Sequence, residues 1–337
     1  MRLKWLAAED IHWTWPRLHG RALPHLLALL LLLAAHALRA QGGPPFLTDD
    51  PDTPGKQHWE INFGWIGDRN PAAGSYQVPD LDINYGLGAR IQLKFEIPIA
   101  VQETRPQPAS GTDPATPGHV IGGIGGSIPG IKLRFYEHHP GEPWMGHAFG
   151  TGLLTAFTRR DPSERNQQQP GPEAHKTELP VDFSVSTYPQ LYLDSSARSV
   201  ARGLVDAGPN FLLPLEFSTR IGPIRINGDF GYSFGNQTVP QSWIRGLLVG
   251  HEFNDRTEAY LEIYDQQDAN RVYASNGTRA PKKRQATLGL GGRRSLNKNK
   301  TLNLLLMGGR SFQAVSVNNS QPSWIAYTGF QVLFGGN

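Results

Sequence analysis

Asp80, Asp82 and Asn84 stand at alternate positions in PDLDINYGLGARIQLKFEIPIAV, residues 79 to 101, a spacing that imitates the first half of an EF-hand calcium loop. The rest of such a loop is missing. Tyr85 occupies the position that requires glycine, and Ile91 stands where a bidentate carboxylate would close the coordination sphere. His138 and His139 beside Glu137, with His147 downstream, are metal-ligand types, but adjacent residues point to opposite sides of a strand, so a solvated turn accounts for them. The glycine-rich GGIGGSIPG at 122 to 130 lacks the Lys-Ser/Thr of a phosphate loop and the G-x-S-x-G of a nucleophile elbow. A hydrolase needs a serine, a histidine and an orienting polar partner that converge, and no spacing points to them. The motifs call for no enzyme, metal or cofactor, so the charged residues need another role.

That role follows from the elements that carry them. Leu81, Ile83, Tyr85 and Leu87 alternate with Asp80, Asp82, Asn84 and Gly86; after a turn, Ile91, Leu93, Phe95, Ile97, Ile99 and Val101 alternate with Gln92, Lys94, Glu96, Pro98 and Ala100. A period of two sends the apolar set to one face of a strand and the charged set to the other. The same rule holds for Trp59 to Trp65 around Glu60, Ile131 to Phe135 around Lys132 and Arg134, Val181 to Val185 around Asp182, Phe211 to Phe217 around Glu216, and Ile224 to Tyr232 around Arg225 and Asp229. Later segments at about 243–253 (with Glu252), 257–265 (with Glu262), 284–294, 301–311 and 323–334 bring the total to twelve strands.

Connection lengths alternate too. GLGA at 86–89, TRIGP at 219–223, NDRT at 254–257 and NKNK at 297–300 are tight turns. Longer polar stretches at about 67–78, 102–127, 194–208, 235–242, 266–283 and 312–322 fall between them. Short turns at one rim and long loops at the other are the habit of antiparallel barrels in bacterial outer membranes, where single-chain barrels have an even strand number. Residues 138–179 break the rhythm. They read as an insertion, or, with GHAFGTGLLTAFT as half of a further hairpin, as a route to fourteen strands.

The compartment follows from the N-terminus. Residues 1–40 have a basic lead, an apolar run from Leu26 to Ala35 and small residues at Ala35, Ala37 and Ala40, the pattern of a cleaved signal peptide. Residues 41–56 are then a periplasmic N-terminal segment and 57–337 the barrel, in a Gram-negative type outer membrane. The absence of cysteine excludes a lipid-anchored cysteine, disulfides and thiolate metal sites. A net charge of +3 with dispersed basic residues gives no footprint for nucleic acid.

Within a barrel, Glu60, Asp80, Asp82, Lys94, Glu96, Lys132, Arg134, Asp182, Glu216, Arg225, Asp229 and Glu252 are expected to line the lumen, either as a polar passage or as ion pairs bracing the wall. Trp59, Trp65, Tyr85, Tyr232, Trp243, Tyr327 and Phe334, near strand ends, read as interfacial girdle residues. Tyr327, Gly329, Val332 and Phe334 resemble the terminal-strand signal read by the barrel assembly machinery, with Gly335, Gly336 and Asn337 as an unusual tail.

PPFLTDDPDTPGKQHWEINFGW, PDLDINYGLGARIQLKFEIPIAV, GIKLRF, YPQLYL, RGLVDAGPNFLLPLEF and GPIRINGDFGYSF together resemble the bacterial outer-membrane β-barrel family labelled transporter or MetA-pathway of phenol degradation protein. The resemblance covers nearly all of the mature chain except about 140–180. It implies a channel or transporter for small hydrophobic or aromatic molecules, with outer-membrane lipid and the assembly machinery as partners. It supplies no catalytic residues. The alternative is a closed barrel with a structural or adhesive role, and an outer-membrane hydrolase is the remotest reading.

Overall fold

The computed structural model describes residues 43–109, 115–139, 182–236, 239–269, 283–316 and 319–336. The chain opens with β1 (His58–Arg69), β2 (Ala73–Gly88), β3 (Ile91–Thr104), β4 (His119–Ile124) and β5 (Ile128–His138). After β6 (Asp182–Thr187) and β7 (Gln190–Tyr192) comes one short helix, α1 (Ala197–Ala201). The remaining strands are β8 (Asn210–Ile221), β9 (Ile224–Ser233), β10 (Ser242–Asn254), β11 (Thr257–Asp268), β12 (Arg284–Ser295), β13 (Leu302–Ser316) and β14 (Asn319–Gly335). Neighbours pair antiparallel, and β1 pairs with β14 from His58↔Gly335 to Arg69↔Trp324.

Fourteen strands make twelve staves because two staves are broken. β3 pairs with β5 along Ile91–Glu96 and with β4 along Ile99–Thr104. β8 likewise pairs with β6 and then with β7. Proline explains both interruptions, since it has no N–H to give to a ladder. Pro98 stands opposite the first break, where its carbonyl accepts from Gly125 N at 2.8 Å, and Pro189 follows Tyr188 at the second. Joined end to end by β3–β5 pairing, the staves form a closed antiparallel twelve-strand barrel with two extra strands. Among the described residues β4, above the first break, pairs only with β3, and its other side is met by α1 and the loop after it, with Arg202 Nη1 donating to Gly122 O at 2.7 Å.

Burial is inverted relative to a water-soluble sandwich. Glu60 and Asn62 are 4% and 1% exposed, whereas Phe63 between β1's inward residues is 53% exposed. A fold that hides carboxylates and shows phenylalanines is built for an apolar solvent outside. No helix among the described residues is long and apolar enough to cross a membrane.

The tight turns lie where the sequence places them: Ala89–Arg90, Gly222–Pro223 with Gly222 at φ 59°, and Asp255–Arg256. Two of the expected long loops are instead extended hairpins. The stretch at 67–78 is strand except for Asn70–Ala72, where Asn70 Oδ1 accepts from Ala72 N and Ala73 N, both at 2.8 Å. The stretch at 312–322 is likewise mostly β13 and β14. A side-chain amide that closes its own turn lets polar residues continue the ladder above the membrane level, which alternation alone does not reveal. The signal-peptide residues, most of the 138–179 insertion and GHAFGTGLLTAFT lie outside the described residues.

Candidate functional site

Alternation on neighbouring strands brings the charged residues together. Asp82 stands opposite Glu96, and Asn84 opposite Lys94, across the β2/β3 hairpin. Lys94 sits between the two acids, its Nζ 2.9 Å from Glu96 and 3.5 Å from Asp82, which relieves like-charge repulsion on that wall. Asn62 Nδ2 donates to Glu60 at 3.0 Å and to Asp82 at 3.2 Å. Glu216 on β8 accepts from Ser186 Oγ at 2.6 Å and lies 3.4 Å from Lys132 Nζ. Arg225 meets Glu252 at 3.7 Å, and Glu252 also accepts from Arg220. Asp182 stands apart: at the start of β6, with its side chain 46% exposed, it is a rim residue bonded to His139 at 3.1 Å.

The segment from Gly43 to Gly55, left in the sequence as periplasmic, runs in among these side chains. Thr48 N donates to Glu262 Oε1 at 2.7 Å, and Asp49 N to Asp229 Oδ2 at 3.2 Å. Lys132 Nζ donates to Asp49 at 2.9 Å and also to the Asp50 carbonyl. Asp52 reaches Arg134 and Arg225, each at 3.3 Å, and Thr53 Oγ1 donates to Ala89 O at 3.0 Å. Phe46 packs in an inward apolar cluster with Leu248, Leu305, Met307, Ile325 and Tyr327, its ring 5.6 Å from that of Tyr260. Two acids on a short segment, Asp49 and Asp52, thus answer three bases from β5 and β9. Lys132, Arg134 and Arg225, all largely buried, each have a carboxylate against them, which lowers the cost of burying their charge.

Electrostatics on the segment pull two ways. Burial, with the Asp52 charge beside it, pushes Asp50 up to about 6. Burial also works against ionisation of Asp49, but the Lys132 and Lys94 ammonium groups outweigh it and hold its carboxyl below the ordinary range.

Tyr188, fully buried where β6 gives way to β7, completes the block. Lys132 Nζ is 4.8 Å and Lys94 Nζ 5.7 Å from its ring centroid. The gap left between the segment and the wall, beside Glu60, Lys94, Lys132 and Tyr188, has a volume of about 10 Å³, at the lower limit for one water. Toward the long-hairpin rim a larger cavity of about 280 Å³ opens, lined by Asp68, Gln102, Gln285, Ser311, Gln321 and Ser323.

Three expectations need correction. Tyr327 is not a girdle residue: it is 4% exposed and points inward, because it shares the parity of Ile325 and Gln331 rather than that of Phe330. Trp59, Tyr85 and Phe334 do cluster on the outer face, with ring centroids 4.5 and 6.3 Å from Trp59, as do Phe230 and Tyr232 around Trp243 at 5.1 and 4.6 Å. His138 and His139 are not in a solvated turn. His138 is buried at the end of β5, and His139 bridges Asp182 and Glu137, whose hydrogen bonds raise its imidazole to about 9. The third is residues 41–56, expected simply as a periplasmic segment: residues 43–55 lie among the inward side chains, and their signal was the acid-rich TDDPDT beside Phe46. On β14, Val332 and Phe334 face outward and Gly329 lies against the β1 backbone, while Gly335 and Gly336 turn the tail back with positive φ, Gly336 N donating to Gln57 O at 3.1 Å.

No protein-family model and no curated protein sequence matches this chain. Solved structures do. An outer-membrane channel from Pseudomonas putida F1 is 12% identical, with a TM-score of 0.53 over 87% of this chain and all of that one. The translocator domain of the autotransporter NalP from Neisseria meningitidis is 8% identical, with a TM-score of 0.44 over 93% and 95% of the two chains. The CymD monoaromatic hydrocarbon channel is 8% identical, with a TM-score of 0.38 over 83% and 90%. At such identities the first likeness concerns the fold alone, and the other two scores carry no argument. The chain has the fold of a bacterial outer-membrane β-barrel.

Proposed function

We propose that this chain is an outer-membrane channel for small molecules, without enzymatic activity, whose passage is held nearly shut by its own N-terminal segment. The observation that carries this reading is the pairing of a polar cavity at one end of the lumen with an ion-paired but non-covalent obstruction at the other. A wall needed only for stability could fill its interior with side chains of the strands themselves. Here the last obstacle is a separate stretch of backbone, joined to the barrel only through Lys56 and Gln57. Membership of the MetA-pathway of phenol degradation family, and with it a hydrophobic or aromatic passenger, rests on the sequence resemblance. The amide, hydroxyl and carboxyl lining of the cavity favours passengers that also carry hydrogen-bonding groups, such as phenols over plain hydrocarbons. The inward faces of Glu60, Asp80, Lys94 and their partners are the passage lining in this reading, outer-membrane lipid surrounds the barrel, and Val332 and Phe334 belong to the signal for the assembly machinery.

The second reading, a closed barrel with a structural or adhesive role, is favoured by the three ion pairs that tie Asp49 and Asp52 to the wall. Planar bilayers separate the two. The mature chain should show small, infrequent conductance steps, and deletion of residues 43–53 should give larger and more persistent ones. Electrical silence of both forms, with heat-modifiable migration showing both folded, would decide for the closed barrel.

A further inference from the structure

We propose that Arg69, Trp324 and Arg310 form a clamp on the lipid-facing wall for the phosphate of an outer-leaflet glycolipid headgroup. The inference rests on the membrane-embedded reading of the barrel, but concerns its outer surface rather than its lumen.

Register places the three residues side by side. Arg310 on β13 stands opposite Trp324 on β14, and Trp324 stands opposite Arg69 on β1. Trp324 is 65% exposed and shares the parity of the outward Phe330, so the row faces away from the lumen. Adjacent strands lie about 4.8 Å apart, so the two arginine backbones are about 10 Å apart with an indole between them.

The depth suits a headgroup. On β1 the span from Trp59 to Arg69, at about 3.3 Å per residue and a tilt of about 40°, rises about 25 Å, the height of the apolar band of an outer-membrane barrel. Trp59, with Tyr85 and Phe334, marks the short-turn edge of that band, so Arg69 stands at the opposite edge, beside the long hairpins.

The chemistry of the row is unspent. Arg310 lies with its guanidinium carbon 4.3 Å from the Trp324 ring centroid and 6.0 Å from that of Phe312. A guanidinium stacked on a ring keeps its in-plane N–H donors at the edge, and such a fork matches two oxygens of a phosphate. Among the described residues neither Arg69 nor Arg310 makes an ion pair. Glu103, the next acid along the row beyond Gly74, is engaged by Tyr76 Oη at 3.0 Å and by Arg105 at 3.7 Å. At the same rim, by contrast, Arg245 and Arg284 share Asp265 at 3.1 and 2.6 Å. Two uncompensated arginines bracketing an indole at the membrane edge are complementary to an anionic headgroup with an acyl body that can lie along Trp324 and Phe312.

The test uses the mature barrel in detergent, titrated with diphosphoryl lipid A, its dephosphorylated form and inorganic phosphate, with bound lipid read by native mass spectrometry. Wild type should bind the diphosphoryl form, and Arg69→Gln with Arg310→Gln should weaken binding by about tenfold or more. Arg245→Gln should leave it unchanged. Arg69→Lys with Arg310→Lys, which keeps charge but loses the fork, should fall between and serves if the glutamine pair does not fold. Equal binding by wild type and the double variants, or equal binding of the dephosphorylated lipid, would overturn the clamp, as would competition by inorganic phosphate alone at equal concentration. A chain that fails to insert into bilayers at all would instead defeat the membrane reading.

Discussion

At the scale of single residues, His139 shows how a side chain acquires a role from its neighbours. Its ring nitrogens face Asp182 at 3.1 Å and Glu137 at 3.4 Å, and these hydrogen bonds raise the imidazole to about 9. The ordinary unfolded value is near 6.5. A folded value above the unfolded one means that the stabilisation is fully present below about pH 6.5 and is lost as pH rises through about 9. The barrel should therefore lose more stability between pH 6 and pH 10 than does His139→Gln, measured as urea midpoints in detergent. Asp182 is half in solvent, so the difference should be small. Equal pH dependence in the two proteins would show that the contact contributes nothing. The same residues illustrate why the site was only partly readable. That Glu137 and His139, two residues apart, fall on one side of an extended chain is visible in the sequence, but that Asp182, beyond a long insertion, reaches His139 follows from the pairing of β5 with β6.

At the scale of elements, the strand faces decide what each substitution does. Phe95 lies on the outer face of β3 and is 44% exposed, while Glu96 next to it pairs inward with Lys94. Phe95→Arg or Ile97→Arg should destabilise the folded barrel by about 2–4 kcal/mol if near the bilayer midplane and by less toward its edge. Glu96→Gln should cost much less, because Asp82 remains to pair with Lys94. Unfolding titrations in liposomes give the ranking, and the reverse order would mean that the strand is assigned to the wrong face. Strand existence was legible from period-two alternation almost everywhere. Strand length was not: β1, β2, β13 and β14 run on into hairpins whose residues no longer alternate between apolar and polar, since above the membrane both faces meet water or polar lumen.

At the scale of the whole molecule, the contact that matters most is between the N-terminal segment and the barrel it enters. Gly86 marks the entrance. Its carbonyl accepts from Gln57 N at 2.7 Å, and a Cβ on it would come within 1.6 Å of the Gly55 carbonyl oxygen. Gly86→Val should therefore force the segment from its seat while leaving the β2/β3 pairing in place, and single-channel conductance should rise toward that of the chain lacking residues 43–53. A conductance unchanged from wild type would mean that the segment adjusts without leaving the lumen, and that the obstruction is more tolerant than its packing implies.

Alternation, turn spacing and an even count of staves were sufficient to determine an antiparallel barrel and left its size at twelve strands or fourteen, because each depends on neighbours in sequence and on the solvent each face meets. They also determined which charges share a face. Only the tertiary structure decided what those charges hold. Lys132, Arg134 and Arg225 look alike whether they face water, an acid on the next strand or Asp49, Asp50 and Asp52 of the leading segment. The inward turn of Tyr327 and the seat of Phe46 belong to the same class. Period two states that a side chain points to one side of its own strand; it is closure of the sheet that turns that side into a lumen, and the size of the lumen that admits a second stretch of chain.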